Sequence, residues 1–582
     1  MKRIDKEHFN NPSKKENKES WVFFDEINTC SSFSLITEIF IKRTCNGEKI
    51  SDNIRLIGAC NPYRKRKVST EEFGLNKDGD DGNELVYLVK PLPQTLLYYV
   101  FNFGFINEED EKIYIYSIIK KLFSNDEDEM HEITTNAIFE CHQFLREKFE
   151  PSLVSLRDIS RFFKCVKFFI EFFSKKDEYL NKKGSQKLYK IKSIICSIYL
   201  CYYIRLDEKT ERYQFDFKLR RTLLKLVNSI KKQSSEIKIE EEKNKSIKKG
   251  YLNEIIEFEE LKEDLEGQYI NQFSDFLNRE EDFLINLIKL DKGIGKNNIL
   301  KENLFLLFLS LVTYIPLIII GKPGTGKSLS AQIISKIMRG KYSKEKFFRK
   351  YPKIVQTYFQ GSELAKPEDV EKLFEIAENK YNYFNEKLKS NVIRKEDLPI
   401  SMILFDGLDL SEKSKTNPLT VLHSKLEYGR KKEGLSFVGI SNYSLDAAKI
   451  NRALVLSVPN LENRIDELNN TVKSIVESVS DHLNEDKKQI FNILSMTYFE
   501  YKNTLVLIKE LIALKKFDEE NNKLEEPLDL KSKDFSEIKR IKQFKNILKQ
   551  DKKIKVDFHG NRDLYNFIKG IAIEICRLGV ME

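Results

Sequence analysis

Short, largely apolar strand-like runs punctuate the C-terminal half of this chain, at residues 314–320, 353–358, 401–405, 435–440 and 453–458. Such runs predict strands covered on both faces, the habit of parallel sheets. Helix-like stretches alternate with them, which predicts an α/β core with a doubly wound parallel sheet. The longest apolar segment, "NLFLLFLSLVTYIPLIIIG" at 303–321, is nearly long enough to span a bilayer. Pro316 interrupts it and a glycine-rich turn ends it, so it predicts a buried helix, a turn and a central strand, and no membrane span. The N-terminal half shows fewer strand-like runs, near 22–24, 54–58 and 85–89, then a long helical region from about 94 to 230. A mixed-charge stretch at 231–267 predicts a solvated helix or spacer. A second helical region, from about 462 to 582, closes the chain.

Composition narrows the class without naming it. Of 582 residues, 41% are hydrophobic and 32% charged, which supports buried cores and excludes wholesale disorder. Only 23 Gly and 13 Pro favour helix over long flexible linkers. A net charge of +9 over so long a chain is a weak pointer to nucleic acid, which is not expected as a partner. "RKRK" at 64–67 reads as an interface or solvated stretch. The 8 cysteines form no C-x-x-C pair: Cys30, Cys45 and Cys60 are far apart, and Cys196 and Cys201 lie on an apolar helix-like run. Neither a zinc module nor a disulfide framework is indicated. The polar N-terminus shows no secretory leader, so a reducing, cytoplasmic setting is the expectation.

The chemistry concentrates at "GKPGTGKS", residues 321–328. It fits G-x-x-x-x-G-K-[ST] in full, follows the strand-like "LIII" and opens a helix, the context the motif requires. Gly321, Gly324 and Gly326 let the backbone curl so that successive N–H groups face phosphate oxygens. Pro323 and Thr325 complete the loop, and the positive end of the helix faces the same anion. Lys327 can reach β- and γ-phosphates, and the Ser328 hydroxyl can ligate Mg²⁺. Asp406 ends the apolar run "SMILFD", where a carboxylate would hold the Mg²⁺ shell. ATP and Mg²⁺ are therefore the expected ligands. The residue after Asp406 is Gly407, where a working ATPase of this kind carries glutamate.

That aspartate has a second copy. "WVFFDEIN" places Asp25 before Glu26, as hydrolysis requires. Asn61 in "IRLIGACN" follows Asp25 by 36 residues, and Asn442 in "LSFVGISN" follows Asp406 by the same 36. Either asparagine suits orienting water or sensing a γ-phosphate. A looser echo pairs "SLRDISRFF" around Arg157 with "GNRDLYNFI" around Arg562. The repeat predicts two tandem modules. Residues 1–93 read as the C-terminal part of a first α/β core, 94–230 as its helical lid and 231–300 as a charged helical linker. Residues 301–461 read as a second core with the phosphate loop, and 462–582 as its lid. In the second module Lys327 precedes Asp406 by 79 residues, which puts a matching loop for the first upstream of Met1. The first module is therefore expected to be N-terminally truncated.

These residues bring a family into view. A strand–loop–helix followed by lid arginines resembles AAA+ ATPases. "GACNPYR", "VKPLPQTLLYYVFNFG", "YFQGSE", "PLTVLHSKLEYG", "FVGISNYSLDAAKINRALVLSV" and "HGNRDLYNFIKG" resemble the tandem, dynein-like AAA+ core of the mysterin-like giant RING-type E3 ubiquitin ligases. The resemblance covers most of residues 20–580 apart from the charged spacer. It implies an α/β fold of two tandem AAA+ P-loop modules, each a parallel-sheet core with a helical lid. It assigns Asn442 as sensor asparagine and Arg562 as lid arginine, with Arg157 the counterpart of Arg562 in the first module. It places Arg452 of "INRA" at the arginine-finger position, serving the site of the module before it. Neighbouring AAA+ modules and the ubiquitin machinery are the partners it implies. No RING cluster lies in this chain, so ligase chemistry is not placed here.

Three functions follow as expectations. The first is an ATP·Mg-binding motor segment of such a ligase, with a second site that hydrolyses slowly or not at all because of Gly407; an active remodelling ATPase is the alternative. A scaffold whose ATP never turns over is the second. The third, a nucleic-acid-handling AAA+ protein, predicts a basic stripe that the mixed charge does not supply.

Overall fold

The computed structural model describes residues 19–64 (except 31), 89–149 (except 105 and 125–127), 154–241 (except 183–184 and 207–208), 272–458 (except 292–293, 427–433 and 444), 465–479, 496–500, 566 and 568. They fall into two compact units interleaved along the chain. One comprises residues 1–279, 306–320 and 338–457, the other 280–305, 321–337 and 458–582.

The first unit holds two parallel arrangements of strands. Strand β1 (Ser20–Phe24) pairs in parallel with β4 (Ile54–Gly58), and a small antiparallel ribbon of β2 (Thr44–Cys45) and β3 (Glu48–Lys49) lies between them in sequence. Val22, Phe24 and Leu56 pack with Ile39, Ile50 and Ile54 to form a local core. The larger sheet has β5 (Leu317–Ile320), β6 (Ile354–Gln360), β7 (Ile400–Asp406), β8 (Leu435–Ser441) and β9 (Leu454–Ser457), in spatial order β6-β7-β8-β5-β9 and parallel throughout. All four residues of β5 and all four of β9 are buried, as expected where both faces are covered. The five apolar runs of the C-terminal half are thus strands of one parallel sheet. Of the first-half runs, 22–24 and 54–58 are strands, while 85–88 lie outside the described residues. The segment 303–321 divides as its proline demands: the helix Asn298–Thr313 ends, Tyr314 takes a left-handed φ of 54°, and β5 begins after Pro316. No described helix is long and apolar enough to cross a membrane.

Helices of the same unit form a second apolar mass. The helix Leu156–Tyr179 repeats phenylalanine at helical spacing, and Phe162, Phe169, Phe172 and Phe173 are buried. Phe168 lies 5.9 Å from Phe308 and Phe172 lies 5.8 Å from Phe347, so this helix packs on the helix that precedes β5 and on the turn Phe347–Lys350. Inside that mass, Asp158 is fully buried. It accepts from Arg161 at 2.6 Å, from Arg205 and from the Ser155 backbone N–H at 3.0 Å. Burial pushes its carboxyl up, but the two guanidinium groups outweigh that and hold it at about 2.

In the second unit, the Asn297 side chain caps the helix Asn298–Thr313 by accepting from the Leu300 N–H at 2.8 Å. Asn297 also donates to Thr471 Oγ1 at 3.1 Å, and the Ser474 hydroxyl reaches the Lys296 carbonyl at 3.4 Å. A Cβ at Gly295 would stand 3.0 Å from Ser474 Cβ and 3.1 Å from the Ile475 nitrogen, so residues 295–297 and the helix Ile465–Val479 lie in tight backbone contact.

Candidate functional site: a phosphate loop and two matched strand ends

The loop after β5 is shaped by its glycines. Gly324 and Gly326 have φ values of 88° and 78°, conformations that strain any side chain-bearing residue. At Gly321 the limit is space, because a Cβ would come within 2.7 Å of Val458 Cβ. Thr325 Oγ1 donates to the Lys322 carbonyl at 2.9 Å, and Asn303 donates to the Thr325 carbonyl at 3.3 Å, pinning the turn from within and behind. Lys327 and Ser328 open the helix Lys327–Ile337. The buried ammonium of Lys327 donates to the Gly321 and Lys322 carbonyls, so it is folded back across the loop's own concavity. A curled backbone, a helix N-terminus and a buried lysine over the curl fit a polyphosphate. In the same unit a cleft of about 360 Å³ is lined by Ile288, Leu290, Asp291, Ile294, Lys296 and Ser474, the stretch before the capped helix together with the helix Ile465–Val479.

In the first unit, the two aspartates identified from sequence end equivalent strands. Phe24 pairs with Gly58, and Phe405 with Gly439: the offset is 34 residues in both sheets. The next residue after each aspartate is left-handed, Glu26 at φ 50° and Gly407 at φ 80°. One residue further, Ile27 and Leu408 lie over the matching glycines; a Cβ would meet Ile27 at 3.2 Å on Gly58 and Leu408 at 2.4 Å on Gly439. The following position in each copy binds the repeated asparagine. Asn28 donates to the Asn61 carbonyl at 2.7 Å, and Asp409 accepts from the Asn442 backbone N–H at 3.3 Å. Spacing in the sequence could not supply this correspondence of handedness, register and contact.

Gly407 and Glu26 then part company chemically. At Gly407 no carboxylate is present, and an added Cβ would sit 3.1 Å from Gln360 Nε2 and 3.4 Å from the Gly361 carbonyl. The carboxylates downstream are engaged elsewhere: Asp409 with Asn442, and Glu412 with Lys449 at 2.9 Å and the Asp446 N–H at 3.0 Å. Glu26 is nearly buried and tightly held. Arg452 Nη2 donates to its Oε1 at 3.1 Å, and His423 Nδ1 meets its Oε2. Burial raises the Glu26 carboxyl, but His423 and Arg452 more than offset this and hold it below the usual range. Arg452 also bonds the Ala448 carbonyl, and Arg161 donates to the neighbouring Asn451 carbonyl.

The structure thus brings together Glu26 and Arg452, two residues singled out 426 positions apart, and joins Asn442 to Asp409. Asp25 and Asp406 stand at strand ends as expected, and Arg157 opens the helix Leu156–Tyr179. Arg562 lies outside the described residues. His423 was missed as a site residue, although it sits in the quoted "PLTVLHSKLEYG"; its signal is visible only once Glu26 lies beside it. Among the described residues no group of three or more His, Cys, Asp or Glu could hold a metal ion.

A five-stranded parallel sheet, with a complete phosphate loop after its buried fourth-ranked strand and an aspartate ending β7, marks an AAA+ region. Residues 293–464 match the model of the RNF213 AAA domain. The chain is 28% identical over 478 residues to mouse E3 ubiquitin-protein ligase RNF213 and 28% identical over 476 residues to the human protein, in each case 75% of this chain and 8% of the relative. It carries an RNF213-like AAA+ region and spans 8% of the length of these relatives. The solved structure of C. elegans PCH-2 aligns over 51% of this chain and 72% of its own at 14% identity and a TM-score of 0.24, a likeness too slight to carry an argument.

Proposed function

We propose that this chain is an ATP·Mg-binding segment of an RNF213-like ligase motor, built as two tandem AAA+ modules, whose second module binds ATP and hydrolyses it slowly or not at all. The loop 321–328 would cradle the phosphates, with Lys327 against the β- and γ-oxygens. Ser328 and Asp406 would serve the Mg²⁺ ion, Asn442 would sense the γ-phosphate, and Arg562 would complete the lid. When bound, the Mg²⁺ ion would neutralise phosphate charge. The single observation behind slow turnover is Gly407. The matched position in the other strand carries Glu26, whereas here the left-handed backbone bears no carboxylate. Loss of the group that positions water, with Lys327, Ser328 and Asp406 kept, leaves a binder with a poor rate. The tandem reading is supported by the shared 34-residue register and the shared left-handed step after each aspartate. The first module, with Asp25, Glu26 and Asn61, would draw Arg452 as its arginine finger. Ubiquitin machinery and further AAA+ modules are its proposed partners, in a cytoplasmic setting.

The test follows labelled ATP on the purified chain. Retention with phosphate release well below about 1 s⁻¹, the low end for typical enzymes, is expected; turnover at or above that rate overturns the slow-site reading. An active remodelling ATPase is the competing reading, favoured by the complete Asp25–Glu26 pair. Gly407→Glu separates a motor from a scaffold. The left-handed backbone costs a glutamate about 1 kcal/mol, a strain that Glu26 already tolerates at φ 50°. A positioned base contributes about 10²–10⁴-fold. A rise in phosphate release of about 10² identifies a competent pocket that lacks only its base; unchanged release identifies a binding scaffold.

A further inference from the structure

Just before β6 the chain makes a closed surface loop, residues 339–353. Its ends are joined: the Ile354 N–H donates to the Met338 carbonyl at 3.1 Å, and Arg339 and Lys353 form an antiparallel bridge. Two 3-10 turns, Gly340–Tyr342 and Phe347–Lys350, lie inside it. The Ser343 hydroxyl accepts from the Arg339 N–H at 2.9 Å, and the Arg349 guanidinium donates to the Ser343 and Lys344 carbonyls at 2.9 and 3.1 Å. Phe347, Phe348 and Tyr351 are buried; Phe347 lies 5.8 Å from Phe172, and Tyr351 lies 4.8 Å from Phe308. A loop with joined ends and its own apolar plug is compact, and such loops are frequently functional. The loop and these partners belong to one compact unit.

What this frame carries outward is positive charge. Seven of its 15 residues are Lys or Arg, against Glu345 alone, while the whole chain is nearly balanced at 99 basic and 90 acidic residues. The mixed charge of the chain therefore hides a local excess. Two of the cations are matched: Lys341 pairs with Asp397 at 3.2 Å and Lys350 with Glu178 at 2.7 Å. The side chains of Arg339, Lys344, Lys346 and Lys353 are exposed and make no hydrogen bond or ion pair among the described residues. Amid these cations stands Tyr342, 75% exposed, with Lys341 Nζ 5.6 Å from its ring centre. The loop's other three rings are the buried ones.

We propose that the loop 339–353 binds single-stranded nucleic acid, with Arg339 and the unmatched lysines along the phosphates and a base stacked on Tyr342. A cationic surface with an open aromatic face is the combination that single strands use, because every unpaired base offers a face to stack and every nucleotide a phosphate. An acidic peptide would use the charges and leave Tyr342 idle. A membrane surface calls for an apolar wedge beside the cations, and the loop's phenylalanines are buried. A duplex keeps its bases stacked on one another and offers the ring nothing. The inference stands apart from the reading of the loop 321–328 as a nucleotide site.

The test uses the full chain and a fluorescein-labelled oligouridylate of about 20 nucleotides, longer than a site of about 4–16. Binding is followed by anisotropy over a range of salt, with ATP and Mg²⁺ in excess so that occupancy of the loop 321–328 does not contribute. Affinity should fall with salt on a log–log slope of about −3, four phosphates at about 0.7 each. Lys344→Gln combined with Lys346→Gln should lower affinity about tenfold and flatten the slope by about 1.4. Tyr342→Ala should weaken binding at least about fivefold at unchanged slope, and Tyr342→Phe should retain it, because stacking needs only the ring. A duplex of the same length should bind less tightly than the strand. No binding at low salt, full affinity in the double variant or in Tyr342→Ala, or a duplex bound as tightly as the strand overturns the proposal. Displacement of the strand by polyglutamate with no effect of Tyr342→Ala assigns the surface to acidic polypeptide and overturns it too. So does binding to vesicles of phosphatidylserine and phosphatidylcholine without binding to the strand. All the altered side chains are exposed, so an unchanged Tm is expected of each variant.

Discussion

Replacing Lys327 by alanine is expected to weaken nucleotide binding to this chain at least about 100-fold while leaving its fold in place. The ammonium bonds the Gly321 and Lys322 carbonyls, contacts that a water can supply once the side chain is gone. The strain of the curl is carried by Gly324 and Gly326, and the turn is tied by Thr325 and Asn303, none of which the substitution touches. What is lost is the cation folded over the curled loop. A charge-assisted hydrogen bond contributes about 1.5–3 kcal/mol, and Lys327 can make such bonds to two phosphates. Affinity should therefore fall at least about 100-fold, since each 1.4 kcal/mol is tenfold. The cleanest readout is thermal. At a ligand concentration of about 100 Kd the unaltered chain gains about 2.7 kcal/mol, whereas Lys327→Ala should gain at most about 0.4 kcal/mol at the same concentration, a small fraction of the ATP-dependent rise in Tm. A rise equal to that of the unaltered chain would remove the loop from the site.

The largest stability loss is expected from Asp158→Asn. Asp158 accepts from both Arg161 and Arg205 in a pocket where all three are almost wholly buried. Neutralising it removes the negative charge that both guanidinium groups bond, and breaking a buried ion pair by removing one partner costs about 3–5 kcal/mol. The loss should appear as a lower urea midpoint and as faster amide exchange along the helix Leu156–Tyr179. Acid titration gives a second signature. The carboxyl is lowered from 3.8 to about 2 in the folded protein, so the unfolded chain binds the proton first. Its stabilisation is complete above about pH 4 and is lost as pH falls toward 2. Glu111, held at about 2 by His142 and Arg146, adds loss of the same sign over the same range. Asp158→Asn should flatten the acid limb relative to the unaltered chain. An acid limb of unchanged steepness would show that the pair does not govern it.

Asp158 also shows where sequence reasoning stops. It was quoted within "SLRDISRFF" for the arginine before it, and nothing in that string says that its neighbour is a buried anion. The partners stand 3 and 47 residues away, and only the packing of helices brings Arg205 in. His423 is a parallel case: a histidine in the short helix Val421–Lys425 with no local signal until Glu26, from the far end of the chain, lies against it. Charged residues carry their meaning in pairs, and pairing across hundreds of residues leaves no local pattern.

The sequence by itself determined what is local and periodic. Mostly apolar runs fixed the five strands of the parallel sheet, because a strand covered on both faces is largely apolar; the edge strand β6 keeps the polar Gln356 and Thr357 and an exposed Tyr358. Glycines at defined spacing fixed the curl of the loop 321–328, because few other residues take the left-handed turns at Gly324 and Gly326. The repeated aspartate and asparagine disclosed the two matched strand ends. Tertiary structure alone decided what those ends touch: that Glu26 is gripped by Arg452 and His423, that Asp409 and Glu412 are committed to Asn442 and Lys449, and that Gly407 occupies a left-handed step with little room beside it. The physical reason is that backbone conformation is written in a few consecutive side chains, whereas the fate of a buried charge is settled by whichever opposite charge the finished fold places within about 4 Å.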